Sequence, residues 1–162
     1  MIRVSFGLTS PQGGGLTLTG SGTFPNVQNK CRKDVTGGGT WSIMMTPTSD
    51  PRCFMGSGTY RVVELLSWTP AASAFPLRQD NIGEIEDATA GLVKLRVAYD
   101  NGTRGVLTVS CHLNTTPPSP TGAPDCMFEG ITASMAWEDF SNREAPRAGV
   151  DENRTVFHFV HK

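Results

Sequence analysis

Two arrangements in this chain point to chemistry: a carboxylate set among aromatic residues, and histidines set inside apolar runs. Glu64 lies in the stretch Tyr60-Arg61-Val62-Val63-Glu64-Leu65-Leu66-Ser67-Trp68. Strict strand alternation puts it on one face with Tyr60, Val62, Leu66 and Trp68. Desolvation on such a face would raise the carboxyl pKa and yield a general acid or base active near neutral pH. The competing reading turns Arg61, Val63, Leu65 and Ser67 inward and leaves Glu64 in water, and the rarity of buried Glu weighs on that side. Of the three histidines, His112 and His158 fall in Cys111-His112-Leu113 and Phe157-His158-Phe159. A buried imidazole serves as acid, base or metal ligand, or is simply satisfied by a nearby carbonyl.

Other chemistries lack their residues. There is no Cys-x-x-Cys and no His-x-His, and the nearest ligand set, His112 and His158 with Glu129 or Glu64, would have to be assembled by folding, so no metal or other cofactor is expected. No Gly-x-Ser-x-Gly occurs, and the runs Gly13-Gly14-Gly15 and Gly37-Gly38-Gly39 precede strands rather than the helix that a phosphate cradle needs. With 14 basic against 15 acidic side chains, no field of one sign exists to gather nucleic acid or an acidic membrane surface. No stretch approaches the roughly 20 apolar residues of a membrane-spanning helix. The partner expected is a small organic ligand.

The even set Cys31, Cys53, Cys111 and Cys126 suggests at least one disulfide, with neighbour pairing of Cys31 to Cys53 and Cys111 to Cys126 the simplest of three connectivities. Reduced thiols packed as small apolar groups are the alternative. Three Asn-x-Thr triplets, at Asn101, Asn114 and Asn153, fall in expected loops. Together with the cysteines they favour a secreted history. The start Met1-Ile2-Arg3-Val4-Ser5-Phe6 alternates like a strand and lacks the long apolar core of a secretory signal, so the expectation is either a protein that stays inside the cell or a sequence that begins after a removed leader, the second slightly favoured.

The elements that must position these groups are strands. Gly22-Thr23-Phe24, Gly39-Thr40-Trp41 and Gly58-Thr59-Tyr60 repeat one phrase, read as the end of a turn and the start of a strand. Asn101-Gly102, between two alternating runs, predicts a two-residue hairpin loop. Asp100 then faces Thr103, and Tyr99, Val97, Leu95 and Val93 pair with Arg104, Val106, Thr108 and Ser110. That register sets Thr108, Ser110 and His112 on the interior face beside Tyr99. With strands also at residues 2–9, 16–24, 39–46, 59–68, 127–137 and 155–161, the 162 residues form one all-β domain. It is an antiparallel meander of about eight strands closed into a small β-barrel, with a two-sheet sandwich as the alternative. Residues 70–90 form a long loop suited to a lid, a short helix or a partner contact, residues 115–125 a stiff proline-rich loop, and residues 138–143 one helical turn.

Gly39-Thr40-Trp41 on an early strand resembles the Gly-x-Trp phrase of the calycin barrels, the lipocalin and avidin group. The resemblance implies a cup for a small apolar molecule and a basic residue of the last strand, here Arg154, packed over the tryptophan. The resulting expectation is a ligand-binding barrel lined by Tyr60, Trp68, Tyr99, Thr108, Ser110 and His158, with Glu64 and His112 as catalytic groups for a proton-transfer step of lyase, isomerase or cyclase type. The second reading is a secreted carbohydrate-binding or protein-interaction module with a filled core, acting through its surface.

Overall fold

A computed structural model describes residues 2–8, 16–26, 34–43, 56–71, 84, 87–111, 130–136, 138–142 and 153–160. The strands are β1 (Ile2–Leu8), β2 (Leu16–Phe24), β3 (Thr36–Ile43), β4 (Gly56–Pro70), β5 (Ala88–Thr89), β6 (Gly91–Tyr99), β7 (Arg104–Cys111), β8 (Gly130–Met135), β9 (Glu138–Asn142) and β10 (Asn153–Phe159). They form one antiparallel sheet of order β5-β10-β1-β2-β3-β4-β6-β7-β8-β9. Seven strands of the meander curl through 189°, which makes a half-barrel. The expected closure is corrected: β5 and β9 stand at the two ends of the sheet, unpaired with one another. The expected helical turn at residues 138–143 is also corrected, since Glu138–Asn142 pairs with β8 as a strand.

Glycines permit the curl. Gly20 pairs with Gly39, and a side chain on Gly39 would run into the Thr19 carbonyl and lie 2.6 Å from Gly20 Cα. The β2 and β3 backbones therefore come closer than any Cβ allows. Two copies of the glycine-threonine-aromatic phrase lie inside strands rather than at their starts, Gly22-Thr23-Phe24 ending β2 and Gly39-Thr40-Trp41 in the body of β3, while Gly58-Thr59-Tyr60 falls near the start of β4. Its logic is two-faced. Phe24, Trp41 and Tyr60 are buried, while Thr40 and Thr59 pair across β3 and β4 on the outer surface.

The concave face holds the core. Leu16, Leu18, Trp41, Leu65, Trp68, Val93, Leu95, Val97, Leu107, Val109, Ile131 and Met135 are buried there as one cluster. The last strand returns beside β1 and passes close to β7 and β8. Phe157 on β10 meets Phe24 at 6.1 Å and Trp68 at 5.2 Å between ring centroids, and Thr155 Oγ1 donates to the Ser110 carbonyl at 2.7 Å.

The β6–β7 register differs by one residue from the expected one. Ala98 pairs with Arg104, Leu95 with Leu107, Val93 with Val109 and Leu92 with Ser110. Asp100 is the cause. Its N–H donates to the Thr59 carbonyl of β4 at 3.0 Å, so it joins the turn instead of facing Thr103. The loop becomes Asp100-Asn101-Gly102: Gly102 N–H donates to the Tyr99 carbonyl at 3.1 Å, Tyr99 N–H to Thr103 at 2.9 Å, and Gly102 takes φ +85°. This is the three-residue hairpin with a glycine bulge. Because a one-residue slip exchanges the faces of a strand, Leu107 and Val109 enter the core, and Thr108 and Ser110 join the row faces of Lys94 and Leu92.

Candidate functional site

The aromatic residues expected to line a pocket do meet on the concave face. Tyr60 and Tyr99 lie 6.1 Å apart between centroids, and Trp41 stands edge-on to Tyr99 at 6.3 Å. Trp68 packs on Phe24 at 5.1 Å. Their polar tips are engaged by the protein itself. Tyr60 Oη donates to the Thr19 carbonyl at 3.2 Å, Tyr99 Oη to the Ser134 carbonyl at 2.9 Å, Trp41 Nε1 to Asp100 Oδ1 at 2.9 Å and Trp68 Nε1 to Asn26 Oδ1 at 3.2 Å. Burial pushes the Tyr99 phenol up to about 12, and burial together with the neighbouring Tyr99 drives Tyr60 higher still, so both stay neutral donors. A cavity between β2, β3, β4 and β6, lined by Phe24, Val35, Tyr60, Val62 and Leu95 among others, has a volume of about 10 Å³. That is room for about one water molecule.

Glu64 is placed outside this core. The β4–β6 register shifts between Val62 and Glu64 and again between Leu65 and Ser67, which marks two bulges. Each adds one residue to β4 and moves the following side chain to the other face. Tyr60, Leu65 and Trp68 consequently point inward with Val62 partly buried, while Glu64 turns out and accepts from Arg96 Nε at 2.9 Å. Glu64 is 29% exposed and Arg96 47%, a surface pair of small energetic weight.

His158 is buried on β10, in register with Arg3 of β1 and Ala88 of β5. Thr108 and Ser110 are buried on β7 but on the face opposite Val93 and Leu95. His112 lies outside the described residues, as do Glu129, Cys31, Cys53 and Cys126. Cys111 is half-buried at the end of β7, and no disulfide is seen among the described residues. Among those residues, no group of His, Cys, Asp and Glu is arranged to hold a metal ion.

The resemblance to calycins reaches as far as a curled antiparallel sheet. Trp41 does stand on an early strand with its indole inward, but its N–H meets Asp100. Arg154 is in register with Gly7, whose row continues through Thr19 and Thr40, one residue away from Trp41. No family model, no curated protein and no solved structure matches the chain.

Two features escaped the sequence. The first is the Asp100 carboxylate, which accepts from Thr59 N–H at 2.6 Å, from Trp41 Nε1 and from Thr59 Oγ1 at 3.2 Å. These donors, Thr59 N–H first, hold its pKa below the ordinary carboxyl value. The second is a basic strip on the convex face. Arg61 and Arg104 flank Ala98, while Lys94 and Arg96 follow along β6, giving four exposed cations, with Glu64 paired to Arg96 and the exposed carboxylates of Asp100 and Asp139 on the same sheet. Lys94-x-Arg96 was readable as an outward pair. The approach of Arg61 and Arg104 appears only once the register is known.

Proposed function

We propose that the protein is an interaction module that works through the convex face of its sheet and recognises an acidic surface on a partner protein. The observation that carries this reading is the state of the concave face: among the described residues, the four aromatic side chains with polar tips direct them at protein acceptors, and the cavity beside Tyr60 and Leu95 has room for about one water molecule. The convex face offers the opposite. Thr19 and Thr40 share a hydrogen bond at 2.7 Å and Thr23 and Thr36 one at 2.9 Å, and the row between them, Ser21 with Gly38, leads to Arg61 and, across Ala98, to Arg104. Guanidinium groups on a rigid sheet are suited to carboxylates because they present paired donors in a fixed plane.

A poly-glutamate peptide is the probe. Salt-sensitive binding is expected, weakened at least tenfold by the double substitution Arg61→Glu with Arg104→Glu and unchanged by Glu64→Gln within about threefold. An apolar fluorescent probe should leave the tryptophan emission unaltered. Saturable quenching by that probe, with peptide binding indifferent to the charge reversal, would reject the surface reading in favour of an interior ligand site.

A further inference from the structure

The tip of the β6–β7 hairpin carries one of the three Asn-x-Thr triplets. Asn101 is exposed at the apex of the loop. Its Oδ1 accepts from Thr103 N–H at 3.0 Å and from Thr103 Oγ1 at 2.7 Å, so the hydroxyl that defines the triplet already holds the carboxamide in one orientation. Nδ2 faces the Met135 thioether at 3.5 Å, a weak acceptor. Space is open beyond the turn, since a Cβ built on Gly102 would meet no atom within 4 Å. Of the other triplets, Asn153 opens β10 in register with Leu8 of β1, and Asn114 lies outside the described residues.

We propose that Asn101 is the acceptor of an N-linked glycan. In the transfer, Asn101 Nδ2 forms a bond to C1 of the reducing-end sugar of a lipid-diphosphate-linked oligosaccharide. The bond from C1 to the phosphate oxygen breaks, the lipid diphosphate leaves with the electron pair, and one amide proton passes to a base of the transferase. One N–H remains on Nδ2 and both bonds to Oδ1 survive, so the turn keeps its shape with the sugar in place. A bulky polar group is tolerated at such a surface tip. It sits seven residues along the chain from Lys94, which at strand rise leaves the far end of the basic strip clear by roughly 20 Å. The near end, at Arg104, is only three residues from Asn101, so a glycan would crowd it; occupancy is read by peptide mapping alone and does not depend on acidic-peptide binding.

The test is to produce the full chain behind a cleavable secretion leader in a eukaryotic host and map its peptides before and after peptide-N-glycosidase, which leaves Asp wherever a glycan was attached. Asn101 is expected to be occupied in most molecules. Asn101→Gln and Thr103→Val should each remove one glycan from the intact mass, and Thr103→Ser should retain part of it. Thermal unfolding of the Asn101→Gln and Thr103→Ser proteins shows whether a lost glycan reflects lost folding. Chains retained in the cell are mapped in the same way. Recovery of the Asn101 peptide without sugar from folded wild-type protein, whether or not Asn114 or Asn153 is modified, would overturn the proposal.

Discussion

At the scale of single residues, Asp100 is the side chain on which most of the local geometry turns. Its carboxylate gathers the Thr59 N–H, the Trp41 indole and the Thr59 hydroxyl, and its own N–H reaches the Thr59 carbonyl. One exposed residue thereby ties the hairpin tip to β4 and fixes the Trp41 ring against Tyr99. Hydrogen bonds to a carboxylate favour its charged form, and its pKa is accordingly lowered in the folded protein. The sign follows from linkage: a group with a depressed folded pKa contributes stability that is fully present above its unfolded pKa, near 3.8, and is lost as pH falls through the folded value. Replacing it with Asn removes the charge and sets an amide group against the Thr59 and Trp41 donors. Thermal unfolding measured between pH 7 and pH 2 should give a lower Tm for Asp100→Asn at pH 7, with the difference from wild type shrinking in the acid range. Parallel curves across that range would show that Asp100 is not the acid-sensitive clamp.

At the scale of elements, the curl depends on where backbones are allowed to touch. Gly39→Ala forces a methyl into the Thr19 carbonyl and the Gly20 backbone, which cannot swing aside as a side chain would. Overpacking of this kind costs about 1–3 kcal/mol, and it should appear as a drop in the urea midpoint. Gly102→Ala meets open space and suffers only for its φ of +85°, a penalty of about 1–2 kcal/mol. The two variants differ further in reach: Gly39→Ala should shift Tyr60 and Trp41 fluorescence or near-UV circular dichroism, and Gly102→Ala should leave those signals as they are. Equal spectral effects would count against the close approach of β2 and β3. Strand positions were legible in the sequence because period-2 alternation between glycine and proline punctuation is a local signal. Residues 16–24 form β2 as expected, and β6 is the expected run from Leu92 to Tyr99 with Gly91 added at its start. What local alternation could not carry was the residue count in loops and bulges. The extra loop residue at Asp100 and the two bulges in β4 depend on contacts made 30 to 40 residues away in sequence, with Thr59, Leu95 and Arg96. Each removed a residue from the expected site: Thr108 and Ser110 through the register slip, Glu64 through the bulge. Tyr60, Trp68 and Tyr99 kept their inward places, since the two bulges together restore the original face by Trp68.

At the scale of the whole molecule, the question is what keeps a curled sheet from opening when its ends are not joined by a ladder. The last strand supplies the answer from two sides. On one side β10 pairs with β1 along seven residues. On the other it lays Phe157 into the Phe24 and Trp68 rings and passes the Thr155 hydroxyl to the Ser110 carbonyl, next to the start of β8. Thr155 and Ser110 are fully buried, so a lost hydrogen bond there is not replaced by water. Thr155→Val keeps the shape and deletes the donor, leaving the buried carbonyl short of one partner at a cost of about 1–3 kcal/mol. If this bond latches the two ends of the half-barrel, its loss should be felt locally before it is felt globally. Native-state amide exchange in the Thr155→Val protein should then show β10 and β5 opening together at a lower free energy, while β6 and β7 still exchange through complete unfolding. A uniform acceleration across β6, β7 and β10 alike would mean that the sheet opens as one unit, and that its curvature is held by the glycine rows and bulges without the returning strand.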